Sequence, residues 1–73
     1  MVGKEEFGIS NLEYDLVTTL SNLLEGHEVL DEYASDADEA GDAEAAEIFR
    51  SIQQHNQEAA FRIRTSLGRL MSQ

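Results

Sequence analysis

The segment EAGD, residues 39–42, separates two long stretches of helix-forming sequence, and it decides the fold. Gly41 can adopt the left-handed conformation that ends many helices, and Asp42 can cap a helix that follows at once. A link this short makes the two helices antiparallel neighbours. The sequence therefore predicts an all-α fold, an antiparallel two-helix hairpin that turns at about 40–42.

The first helix, predicted at about 11–39, follows a flexible lead-in at 1–9. Ser10 is the expected N-cap, and Glu13, three residues later, completes a capping box. Apolar residues then recur at steps of three and four, which indicates one buried face. This stripe consists of Leu12, Leu16, Leu20, Leu23, His27, Leu30, Ala34 and Ala37.

The second helix, predicted at about 43–71, carries a similar stripe. Its residues are Ala45, Phe49, Ile52, Asn56, Ala59, Ile63, Leu67 and Leu70. Gly26 and Gly68 interrupt the two helices, and folding the chain about Gly41 sets them opposite Asn56 and Tyr14. Glycine inside a helix costs about 1 kcal/mol relative to alanine, so close packing against these neighbours is one expectation, and a tolerated surface glycine is the other.

A chain of 73 residues lies at the lower limit for a single hydrophobic core. It has no cysteine, which excludes disulfides and thiolate metal sites. Two helices cannot enclose a core, so we expect two hairpins to pair as a homodimer, or a higher even oligomer, that forms a four-helix bundle. The predicted oligomer core consists of Leu16, Leu20, Leu23, Leu30, Phe49, Ile52, Asn56, Ile63 and Leu67.

The net charge of −10, from fifteen acidic and five basic residues, argues against nucleic acid or a membrane surface as a partner. No apolar run has the length of a membrane span, and the first residues lack the apolar stretch of a signal peptide. A cytoplasmic location is the expectation. The hydrophobic content of 41% and its periodicity favour a folded chain over a disordered one.

Ten carboxylates lie between Glu25 and Glu47 with no basic residue among them, so the turn should form an acidic tip. A solvated end is the simplest interpretation, and a basic protein partner is another. A calcium loop is a weaker alternative. Asp36, Asp38, Gly41, Glu44 and Glu47 match its spacing, but Ala40 stands where an oxygen ligand is required.

His27 and His55 are both fourteen residues from Gly41, so the hairpin should bring them to one level. With Glu28 and Glu58 they form a candidate site for Fe, Mn or Zn between subunits. The structural alternative is a core His27 bonded to Asn56, with the buried amide fixing register.

Several short motifs carry a family resemblance over residues 10–71. The motifs are Tyr14-Asp15-Leu16, Tyr33, the EAGD turn, Ala46-Glu47-Ile48-Phe49 and Gln54-His55. The chain resembles short ferritin-like hairpins, among them small uncharacterised bacterial proteins, and is distantly similar to encapsulated ferritins. The resemblance implies a ferritin-like half-bundle that dimerises, with iron between subunits in the encapsulated ferritins. Metal-binding relatives carry Glu-x-x-His on the second helix, whereas Ile52 stands three residues before His55 here.

No nucleophile with a base, and no phosphate-binding loop, is evident in the sequence, so enzymatic activity is not expected. The predicted function is a non-enzymatic, acidic, homo-oligomeric helical bundle that serves as a structural or protein-interaction module. The alternative is ferritin-like binding of Fe, Mn or Zn between subunits.

Overall fold

The computed structural model describes residues 8–72. It contains two α-helices, α1 at Asn11–Glu39 and α2 at Ala43–Met71, which pack side by side. The predicted all-α hairpin is therefore confirmed. Residues 1–7 of the predicted lead-in at 1–9 lie outside the described residues.

The start of α1 is capped as its sequence predicts. The Ser10 hydroxyl oxygen accepts a hydrogen bond from the Glu13 backbone N–H at 3.1 Å. The same hydroxyl donates to the Glu13 carboxylate at 3.0 Å. One of the amides that the helix leaves without an intrahelical acceptor is satisfied in this way.

The turn between the helices depends on Gly41, whose φ of +75° lies in the left-handed region. Its N–H donates to the Asp38 carbonyl at 3.0 Å, and the Asp42 N–H donates to the Ala37 carbonyl at 2.9 Å. This pair of bonds is the Schellman motif that closes many helices. The Asp42 carboxylate then accepts from the Ala45 N–H at 2.9 Å and caps α2, as predicted.

The two helices meet along a seam of buried and half-buried residues that recur at steps of three and four. In α1 the seam residues are Leu16, Leu20, Leu23, His27, Leu30, Ala34 and Ala37. Leu12, the first residue of the predicted stripe, is 55% exposed and lies outside the seam. In α2 they are Ala46, Phe49, Gln53, Asn56, Ala60, Ile63, Leu67 and Leu70. A strict seven-residue repeat of this kind keeps one line of each helix against the other.

The seam of α2 differs from the predicted stripe by one position over part of its length. Ile52 and Ala59 are exposed, while their neighbours Gln53 and Ala60 face α1. Two features account for this rotation. Ala46 has no exposed surface, which lets the helices approach closely near the turn, and Gln53 forms hydrogen bonds with α1.

One expectation was that Gly26 and Gly68 pack closely against residues of the opposite helix, and the structure shows no such packing. A Cβ atom added at Gly26 or Gly68 would meet nothing within 4 Å. Within the hairpin, close packing therefore does not require either glycine, and that expectation is wrong.

Between residues 8 and 72, neither helix combines the length and the apolar character that crossing a membrane requires.

Replacing Gly41 with alanine should lower the free energy of unfolding by about 1 to 2 kcal/mol, because a Cβ is strained in the left-handed region. Gly68→Ala is the matched control. Its site is helical and open, so the same change should raise the free energy of unfolding by up to about 1 kcal/mol. Urea denaturation followed by circular dichroism, at one protein concentration, measures both. Equal effects of the two substitutions would contradict the assigned turn.

Candidate interaction surface

The hairpin buries very little apolar surface. Of residues 8–72, the buried hydrophobic side chains are those of Ala34, Ala37 and Ala46, and no large side chain in this range is fully buried. The molecule measures 51 × 22 × 13 Å, which is one layer of two helices. The seam is therefore a line of contact rather than an enclosed core.

Large apolar side chains are exposed along both helices, with exposed fractions from 41% to 72%. They are Ile9, Leu12, Tyr14, Val17, Leu24, Val29, Tyr33, Ile48, Ile52, Phe61 and Met71. Scattered exposed apolar residues are normal in soluble proteins, but contiguous patches indicate contact with a partner. The arrangement of these side chains on the two broad sides of the hairpin therefore bears on where a partner could bind.

One broad side of the hairpin, here called the uncharged face, carries no charged residue in the two rows next to the seam. Tyr33 marks this side, because its ring packs on that of Phe49 at 5.6 Å and lines a groove with Ala45. A second groove further from the turn is lined by Leu16, Ala59 and Ser66. Charged residues, Asp36 and Asp42 in the first groove and Arg62 in the second, line these grooves outside the two rows. At seven-residue intervals the two rows are Leu12, Thr19, Gly26, Tyr33 and Ala40 in α1, and Ala45, Ile52, Ala59 and Ser66 in α2.

The opposite broad side, here called the charged side, has a different composition. Arg50 donates to the Asp38 carboxylate at 2.5 Å across the two helices, with both side chains about half exposed. Leu24 and Gln57 line a groove further along this side. The equivalent rows here are Val17, Leu24, Asp31 and Asp38 in α1, and Arg50, Gln57, Arg64 and Met71 in α2.

Gln53 joins the helices at the middle of the seam, where it is only 7% exposed. Its side-chain amide donates to the His27 carbonyl at 3.0 Å and to the Asp31 carboxylate at 2.7 Å. A buried amide with both donors satisfied favours one register of the two helices over others. Sequence reasoning missed Gln53, although the repeat Ala46, Gln53, Ala60, at steps of seven, could have identified it.

The predicted oligomer-core residues divide into two groups. Ile52 is 42% exposed on the uncharged face. The others lie half-buried along the seam: Leu16, Leu20, Leu23, Leu30, Phe49, Asn56, Ile63 and Leu67. Each of them keeps apolar or amide surface that the hairpin alone does not cover.

The predicted metal ligands are spread around the hairpin. His27 is half-buried and lines a groove with Asn56, whereas Glu28, His55 and Glu58 are exposed. Within residues 8–72 no three or more His, Asp and Glu side chains are grouped closely enough to hold a metal ion. The predicted site would form between subunits, so it stays a prediction.

The acidic tip is exposed, as its composition indicates. Arg50, which follows the acidic segment in the sequence, contributes a positive charge to this tip. Glu44 lies in the first turn of α2, where the helix dipole favours a carboxylate. The last turn of α1 has no basic residue, although the dipole there favours one. The Arg50 guanidinium, reaching Asp38 from α2, supplies part of that missing charge.

Comparison with protein-family models finds no match, and comparisons with curated proteins and with solved structures find no significant one. The ferritin-like resemblance stays a prediction.

Gln53→Glu should lower the free energy of unfolding at pH 7 by about 1 to 3 kcal/mol, because it places a carboxylate against the Asp31 carboxylate and the His27 carbonyl. Gln53→Met is the control, which removes the hydrogen bonds at nearly the same volume. The difference between the two variants should shrink as the pH falls toward 4, where carboxyl groups take up protons. Chemical denaturation across this pH range measures it. A difference that does not depend on pH would show that the new carboxylate stays solvated.

If the metal site forms between subunits, Fe(II), Mn(II) or Zn(II) should raise the Tm of the protein by linkage. The double variant His27→Ala with His55→Ala should show a much smaller rise. Thermal denaturation with and without each ion measures this effect. Equal shifts in the two proteins would eliminate these residues as the ligands.

Proposed function

We propose that this chain is a non-enzymatic, self-associating helical module, in which two hairpins complete one four-helix bundle. The observation that carries the proposal is the contrast between three buried alanines and eleven exposed large apolar side chains in the described part of the chain. A backbone ordering cost of about 1 to 2 kcal/mol per residue has to be offset chiefly by apolar burial. A second hairpin supplies that burial.

A role as a structural or interaction module fits the rest of the surface. The grooves of the hairpin are shallow and open to solvent, unlike the enclosed clefts that bind small molecules. The acidic tip offers a basic protein a concentrated negative potential. If the tip binds a basic protein, its affinity for a lysine-rich peptide should fall steeply as salt is added. An affinity that does not change with salt would contradict this role.

Self-association should make stability depend on concentration. Native mass spectrometry and sedimentation equilibrium should give an even multiple of the 8.1 kDa chain mass. The Tm should rise with protein concentration, because association stabilises only the folded state. A folded monomer, with the same Tm over a hundredfold range of concentration, would contradict the proposal.

A further inference from the structure

We propose that a second copy of this chain packs on the uncharged face in the opposite direction, so that the acidic tip of each copy lies beside the arginine-containing end of the other. This inference rests on the self-association proposed above and gives it a surface and an orientation.

The first argument concerns which side of the hairpin is covered. Covering the charged side would desolvate the Arg50–Asp38 pair and the Asp31 carboxylate. Removing such groups from water costs several kcal/mol per ion unless their partners are nearly ideal. The uncharged face presents Tyr33 and Ile52, which are 47% and 42% exposed, and no charge in its two rows. Covering these two rows buries no ion pair, and the charged residues that line the adjoining grooves, such as Asp36 and Arg62, lie outside the rows.

The second argument concerns direction. Ten carboxylates lie at 25–47, toward the tip, without a basic residue. The other end, residues 8–24 and 59–72, has three arginines and two carboxylates. A tip-to-tip pair would bring two strongly acidic regions together, whereas a tip-to-end pair places each acidic region at the end of the partner that carries Arg62 and Arg69. Complementary charge of this kind selects the orientation of a docked partner.

The third argument is the fit of side-chain sizes. When two hairpins stack face to face in opposite directions, α1 lies on the partner's α1 and α2 on the partner's α2. With full overlap the two-fold axis passes at the level of Gly26 and His55. The row residues of α2 then alternate in size across the interface, because Ile52 faces the partner's Ala59. In α1, Tyr33 lies opposite the partner's Thr19.

In this arrangement a glycine at position 26 allows close packing between the two copies. It lies on the uncharged face, is half-buried, and has open space where a Cβ would stand. On the two-fold axis it meets the partner's Gly26, and the absence of a Cβ on both helices allows their backbones to approach closely. The hairpin by itself provides no such neighbour.

Spin labels test the orientation directly, because the chain has no cysteine and a single introduced cysteine is unique. Ala43→Cys labels the exposed start of α2 near the turn, and Gln54→Cys labels the exposed middle of the same helix. In the tip-to-end dimer the two labels at position 43 lie about 25 residues apart along the axis. At 1.5 Å per residue this is roughly 40 Å, while the labels at position 54 stay within about 25 Å of each other.

Double electron–electron resonance on each labelled dimer gives these distances. A short distance at both positions would establish the tip-to-tip arrangement and overturn the proposal. Long distances at both would show that only the ends far from the turn are in contact, which also overturns it. A monomeric parent protein would instead overturn the self-association on which the inference rests.

A matched pair of substitutions tests the face. Ile52→Asp puts a charge on the uncharged face, and Leu24→Asp makes a comparable change on the charged side, where Leu24 is 62% exposed. In sedimentation equilibrium Ile52→Asp should weaken dimerisation at least tenfold, and Leu24→Asp should change it less than threefold. The reverse order would place the interface on the charged side and overturn the assignment.

Discussion

A single layer of two helices gives each apolar side chain only one neighbouring helix to pack against, and this constraint shapes the whole surface of the protein. In the seam, the buried side chains are three alanines near the turn, Ala34, Ala37 and Ala46, and the hydrogen-bonded Gln53. Further from the turn the leucines and isoleucines of the seam stay half-buried. A large side chain between two cylinders always has part of its surface outside the line of contact. The proposed association of two such layers rests on this geometry as much as on composition.

Polar contacts, rather than apolar bulk, distinguish one register of the hairpin from another. Leucine-rich seams tolerate sliding, because one apolar contact replaces another of similar energy. Gln53 does not tolerate it, since a shift would leave its buried amide without the His27 carbonyl and the Asp31 carboxylate. The Schellman turn at Gly41 fixes the other end. Turn and amide together hold the two helices in one relative position.

The distribution of charge along the hairpin gives the molecule a direction. Carboxylates collect around the turn, including the C-terminal end of α1, where the helix dipole opposes them. Arg50 offsets part of that cost through an exposed ion pair, which contributes at most about 1 kcal/mol. The remaining carboxylates give the tip a negative potential that repels acidic surfaces and attracts basic ones. In the dimer proposed above, charge would select the orientation of the two copies and the apolar rows would supply the area of contact.

The sequence alone predicted the local features: helix content and the acidic turn follow from composition, and the caps at Ser10 and Asp42 and the left-handed glycine depend on residues within five positions of one another. The sequence also predicted the α1 seam from Leu16 to Ala37, because the apolar repeat there has one clear phase, whereas Leu12 at its start is exposed. In α2 the apolar residues fit two stripes that differ by one position, one through Ile52 and one through Gln53. The greater hydrophobicity of Ile52 favoured the first stripe. Only the tertiary structure decided between them, since the deciding bonds of Gln53 join it to residues more than twenty positions away. That choice leaves Ile52 on the surface and separates an uncharged face from a charged side.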